Sequence, residues 1–172
     1  MTPTAEGKEP RQLSRRARRL WLLAHVVLSV GWLGAGAANL ALASSALGAQ
    51  GGPLPSATTY QAIHRIDAYV VIPAAFGALT TGVVLSLGTK WGLFKHWWVL
   101  IKLVLTVTTI IFSTLGLGLW VEESLAAPAA STPPHALCIT LGATGNILAF
   151  LVMTALSIYK PKAPMTRHRH TR

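Results

Sequence analysis

Acidic side chains are scarce in this chain. Five Asp and Glu stand against fifteen Lys and Arg in 172 residues, and charged residues of both signs make up only 12%. A soluble domain carries about 25% charged residues. That shortage, with 52% hydrophobic residues and a mean hydropathy of +0.49, excludes a soluble enzyme and a disordered or fibrous chain. Cysteine is nearly absent as well. Cys138 alone can close neither an internal disulfide nor a thiolate metal site. There is no phosphate loop, no nucleophile elbow and no pair of intramembrane carboxylates for proton pumping. Nothing in the sequence speaks for catalysis, and the question of an enzyme stays open.

What the chain does have is long apolar runs. A span of the hydrocarbon core needs about 20 mostly apolar residues at 1.5 Å rise each. Four stretches meet that length, at about residues 20–47, 68–87, 97–121 and 136–159. None alternates apolar and polar residues, which disfavours an outer-membrane barrel. The links between them are short and carry turn residues, among them Gly51-Gly52-Pro53, Pro55, Pro128, Pro133 and Pro134. Short links favour antiparallel neighbours. The fold class expected is all-α, a polytopic membrane protein with an up-down-up-down bundle of four transmembrane helices over residues 20–159. Basic tails occupy residues 1–19 and 160–172. The first run exceeds the 7–15 residues of a signal-peptide core, so it is read as a true helix.

Charge position sets orientation. Lys8, Arg11, Arg15, Arg16, Arg18 and Arg19 precede the first span, Lys90 and Lys95 lie in the second link, and Lys160, Lys162, Arg167, Arg169 and Arg172 follow the fourth. Asp67, Glu122 and Glu123 fall at the other end with Arg65. The positive-inside rule then places both termini in the cytoplasm and the chain in the cytoplasmic membrane. The same rule, with attraction to anionic lipid, accounts for the basic tails. No nucleic-acid partner is expected; the partners are the lipid bilayer and, through ridges of small residues, a second copy or another membrane protein. Those ridges are Ala74, Ala78, Gly82 and Ser86 in the second span and Gly31, Ala35, Asn39 and Ala43 in the first, expected to pack on each other. Pro73 is expected to kink the second span.

Polar residues within the spans are the candidate site. Lys102 costs roughly 2.5–3.5 kcal/mol at a helix centre, which the apolar residues around it outweigh. It lies about 9 Å from His96 by helix rise and can snorkel toward the cytoplasmic end. His25, Lys102, Asn39 and Asn146 form the expected intramembrane polar pocket, the asparagines serving mainly as interhelical glue. Four of the six histidines fall one per helix, at or near its N-terminal end: His25 and His96 at the inner end, His64 and His135 at the outer. His64 and His135, with His25 as a further candidate, are the residues that would bind haem. His64, His135, Asp67 and Glu122 would hold a divalent transition metal. Asp67 is otherwise expected to cap the second helix.

The run Thr81-Gly82-Val83-Val84-Leu85, followed by Gly88-Thr89-Lys90-Trp91-Gly92-Leu93-Phe94-Lys95-His96-Trp97-Trp98-Val99-Leu100-Ile101-Lys102-Leu103, is more distinctive than a generic span. It resembles a bacterial family of predicted four-helix integral membrane proteins of unassigned function. His25, Trp32 and Gly34 of the first span resemble the same family and, more distantly, the first helix of CopD-type copper-resistance membrane proteins. The resemblance implies a four-helix membrane fold and marks the Lys102 region as a shared feature, without supplying a substrate. The leading expectation is a non-enzymatic bundle that binds a ligand or assists a partner. The alternatives are a haem- or metal-handling redox protein and an oxidoreductase acting on a quinone or other lipophilic substrate.

Overall fold

The computed structural model describes residues 13–47, 56–88, 97–127 and 135–159. Four helices fill those segments: α1 (Arg15–Leu47), α2 (Ala57–Leu87), α3 (Trp97–Ala126) and α4 (Ala136–Tyr159). All four are long and apolar enough to cross a membrane. Residues 1–12 and 160–172 of the basic tails, Lys90, Lys95, His96 and the turn residues of the links from Gly51 to Pro55 and from Pro128 to Pro134 lie outside the described residues, whereas Arg15, Arg16, Arg18 and Arg19 of the expected N-terminal tail already belong to α1.

Each helix packs against its neighbours in sequence, and α1 also packs against α4, which closes the ring. The expected up-down-up-down bundle is present. At one end, the Leu13 amide donates to the Gly88 carbonyl, tying the start of α1 to the end of α2. This is the terminal end of the bundle; the opposite one is the far end. Ser14 caps α1, its hydroxyl accepting from the Ala17 amide at 3.2 Å.

Three helices outrun their apolar stretches, α1 by the five residues from Arg15 to Arg19. α2 begins some eleven residues before the run at 68–87, taking in residues 57–62 of the expected link. This segment is polar in composition but amphipathic: Thr59, Tyr60 and Ile63 are buried while Gln61, His64 and Arg65 are exposed. α3 likewise continues past Val121 to Ala126. In consequence Asp67 is no helix cap. It lies inside α2, about 15 Å from its start by helix rise.

Two π-helical segments interrupt the regular winding, Asp67–Val71 in α2 and Phe112–Leu117 in α3. In each, a carbonyl accepts from an amide five residues on: Ile72 to Asp67, and Gly118 to Ser113. Pro73 follows the first after one residue, Ile72. Its ring cannot donate to the carbonyl four residues back, and α2 meets this with the widened turn rather than with a break.

The core has two parts. One gathers Trp32, Val71, Ala74, Ala75, Ala78, Ile110, Phe150 and Met153; Trp32 and Phe150 meet edge to face with centroids 4.5 Å apart. The other, nearer the far end, gathers Ala43, Tyr60, Ile63, Val121 and Ile139. The α1–α2 contact follows the expected small-residue face on α2, where Ala74, Ala78 and Ser86 are buried. On α1 the expected line holds at Ala35, Asn39 and Ala43; Gly31 departs from it, exposed with nothing within 4 Å of where a Cβ would stand, and Trp32 turns inward instead.

Candidate functional site

Between the two apolar cores, every helix contributes one polar side chain: Asn39 from α1, Asp67 from α2, Ser113 from α3 and Asn146 from α4. In sequence each falls between residues of the two cores, as Asn39 does between Trp32 and Ala43, and Asp67 between Ile63 and Val71. Asn39 Nδ2 donates to Asp67 Oδ1 at 2.7 Å, and Asn146 Nδ2 donates to Ser113 Oγ at 2.7 Å. One bond joins α1 to α2, the other α3 to α4. Asp67 and Ser113 are also the residues whose carbonyls accept the widened π-type bonds. Such segments recur at functional sites because they re-aim side chains that a regular helix would hold elsewhere.

The layer encloses a chamber of about 40 Å³, whose wall includes all four polar residues with Trp32 and Phe150. A second cavity, of about 170 Å³, adjoins it and shares Trp32, Asp67, Val71, Ser113 and Val121 with its wall. This vestibule lies between α2 and α3 and adds His64 and Glu122, both exposed, and Phe76. Its chemistry is two carboxylates and an imidazole above an aromatic floor.

The four residues of the expected metal site are therefore only partly brought together. His64, Asp67 and Glu122 share the vestibule, but among the described residues no three His, Cys, Asp or Glu side chains converge as metal ligands. His135 is engaged elsewhere. Its Nε2 meets Glu123 Oε2 at 2.6 Å, and its ring stacks on Trp120 with centroids 6.0 Å apart. Of the expected haem pair, His64 lines the vestibule, whereas His135 meets Glu123 and Trp120 at the α3–α4 corner.

The expected intramembrane pocket of His25, Lys102, Asn39 and Asn146 divides in two. The asparagines belong to the layer just described, while His25 and Lys102 lie toward the terminal end. His25 Nδ1 approaches the Ala78 carbonyl at 3.0 Å and Thr81 Oγ1 at 2.9 Å. A carbonyl can only accept, and the Thr81 hydroxyl already donates to the Gly77 carbonyl at 2.7 Å. The Nδ1 proton is therefore fixed, and the imidazole is keyed across α1 and α2. Gly82 makes room for it: a Cβ there would come within 3.1 Å of His25 Cε1. Lys102 reaches from α3 to α4, where its ammonium donates to the Ser157 hydroxyl. Ser157 is two residues from the end of α4, so the side chain points toward the terminal end while its head stays between helices. Snorkelling and an inward-facing cation coincide here.

Ser113 was not singled out from the sequence. Serine is common in membrane helices, where its hydroxyl usually bonds its own backbone, so residue type alone carries no signal. No family model, curated protein or solved structure matches the chain.

Proposed function

We propose that the chain is a multi-pass protein of the cytoplasmic membrane, with both termini cytoplasmic, that works as a non-enzymatic ligand-binding bundle. The far end then faces outward, and the vestibule between α2 and α3 receives the ligand from that side. Support for the orientation comes from Arg15, Arg16, Arg18 and Arg19, which crowd the terminal end of α1.

The observation that carries the binding reading is the composition of the vestibule wall. Asp67, Glu122 and His64 supply acceptors at one side of a cavity of about 170 Å³ whose other side is Trp32, Val71 and Phe76. A dry cavity of about 150 Å³ accommodates a benzene ring. The vestibule therefore suits a small amine with a single ring or short chain, the ammonium on the carboxylates and the body against the aromatics.

Phenethylamine is a suitable probe, and 2-phenylethanol is its neutral counterpart. The full chain in detergent is expected to unfold at a higher temperature with the amine than with the alcohol. Glu122→Gln is expected to remove most of the difference. Equal effects of amine and alcohol on the wild-type chain would overturn this reading.

A further inference from the structure

The inner chamber calls for a different occupant. Asn39 is only 8% exposed, and its Oδ1 has no hydrogen-bond partner among the described residues although it lies in the chamber wall. Leaving such an oxygen unmet carries the full desolvation cost of a buried acceptor. Its orientation is fixed, because the Nδ2 end is held by Asp67 Oδ1.

The two amide–oxygen pairs use nitrogen to hold each other. This leaves oxygens for whatever sits between them: Asn39 Oδ1, the second carboxylate oxygen of Asp67, Asn146 Oδ1 and the remaining lone pair of Ser113 Oγ. The donor set is oxygen throughout, which selects hard cations over the transition metals that favour imidazole or thiolate. It carries one negative charge, that of Asp67. A monovalent cation would leave the layer neutral, whereas a divalent one would leave an uncompensated charge between apolar cores. The chamber of about 40 Å³ has room for one such ion, a water molecule taking about 30 Å³ of liquid.

We propose that Asn39, Asp67, Ser113 and Asn146 form a binding site for a single sodium ion, reached through the vestibule. The chamber shares Asp67 and Ser113 with the vestibule, but the inference rests on Asn39, which lines the chamber and not the vestibule, and so does not depend on which organic ligand the vestibule holds. Bound sodium would tie all four helices at one level, so its effect is read in the stability of the bundle as well as in ion uptake.

The test uses the full chain in detergent. Unfolding temperature is followed in sodium chloride against choline chloride at equal ionic strength, alongside equilibrium binding of radioactive sodium. A saturable rise of about 3 °C or more in sodium is expected, with one ion bound per chain. Ser113→Ala should weaken sodium binding about tenfold, and Asp67→Asn should abolish it. Glu122→Gln, which alters only the vestibule, should leave the sodium response intact; its loss there would move the ion out of the chamber and overturn the assignment. If Asp67→Asn does not fold, the wild-type titration decides alone. The same unfolding temperature in both salts, with no bound sodium, would overturn the proposal and leave the chamber a water site only.

Discussion

Asn39 on α1 holds Asp67 on α2 by a direct side-chain bond of 2.7 Å, the amide donating and the carboxylate accepting. This bond crosses a helix interface that is otherwise mainly apolar at this level, between the cores that hold Trp32 and Val71 on one side and Ala43 and Ile63 on the other. Interhelical hydrogen bonds in membranes contribute about 0.6 kcal/mol on average, but loss of the donor to a carboxylate costs more than the bond itself contributes. Asn39→Leu is expected to destabilise the bundle by about 1–3 kcal/mol, measured by unfolding in mixed detergent. Adding Asp67→Leu should recover part of the loss, because both polar partners are then gone. An Asn39→Leu variant as stable as the parent would show that the bond is not formed.

Lys102 behaves differently. Its partner Ser157 also donates to the Met153 carbonyl at 3.0 Å, so the hydroxyl keeps a bond when the ammonium is removed. Lys102→Met replaces a charged stem with an apolar one of similar length. Its effect on stability is expected to stay within about 1 kcal/mol, checked by the same unfolding assay. A loss of more than about 2 kcal/mol would mean that the ammonium holds α3 to α4 in its own right.

Close packing between α3 and α4 depends on Gly142. A Cβ there would come within 2.5 Å of Leu117 Cδ2 and 3.2 Å of Phe112 Cε1. Leu117 is buried and cannot simply swing away. Gly142→Ala is expected to cost about 1–3 kcal/mol through overpacking. Gly145, one turn on, has nothing within 4 Å of that position, so Gly145→Ala should be neutral or gain up to about 1 kcal/mol in helix propensity. The comparison of the two alanine variants checks the register of the α3–α4 interface.

The number of helices, their order and the ring they form were legible because each span is long and almost free of charge. Hydropathy failed where a helix is amphipathic. Ser56, Thr58, Thr59, Gln61, His64 and Arg65 give the start of α2 the composition of a loop, and this moved Asp67 from the helix interior to its end. Asn39 and Asn146 were legible as interhelical polar residues. Their partners were not, since which side chains meet depends on helix rotation, and the two π segments change that rotation without a clear mark in sequence. Equal depth likewise suggested a pairing of His64 with His135, but each histidine is directed by its own surroundings.

The central claim is that the polar layer opens through the vestibule to the outer face of the membrane. The most direct measurement is the reactivity of a single cysteine at Ser113→Cys, in a Cys138→Ala background, toward a membrane-impermeant cationic thiol reagent added to intact cells. Ser113 lines both cavities, whereas Leu115, two residues along α3, is exposed on the lipid-facing surface and lines neither. The account predicts modification of Ser113→Cys from outside and no modification of Leu115→Cys. Modification of Ser113→Cys only after the cells are opened, or reaction at both positions alike, would contradict it.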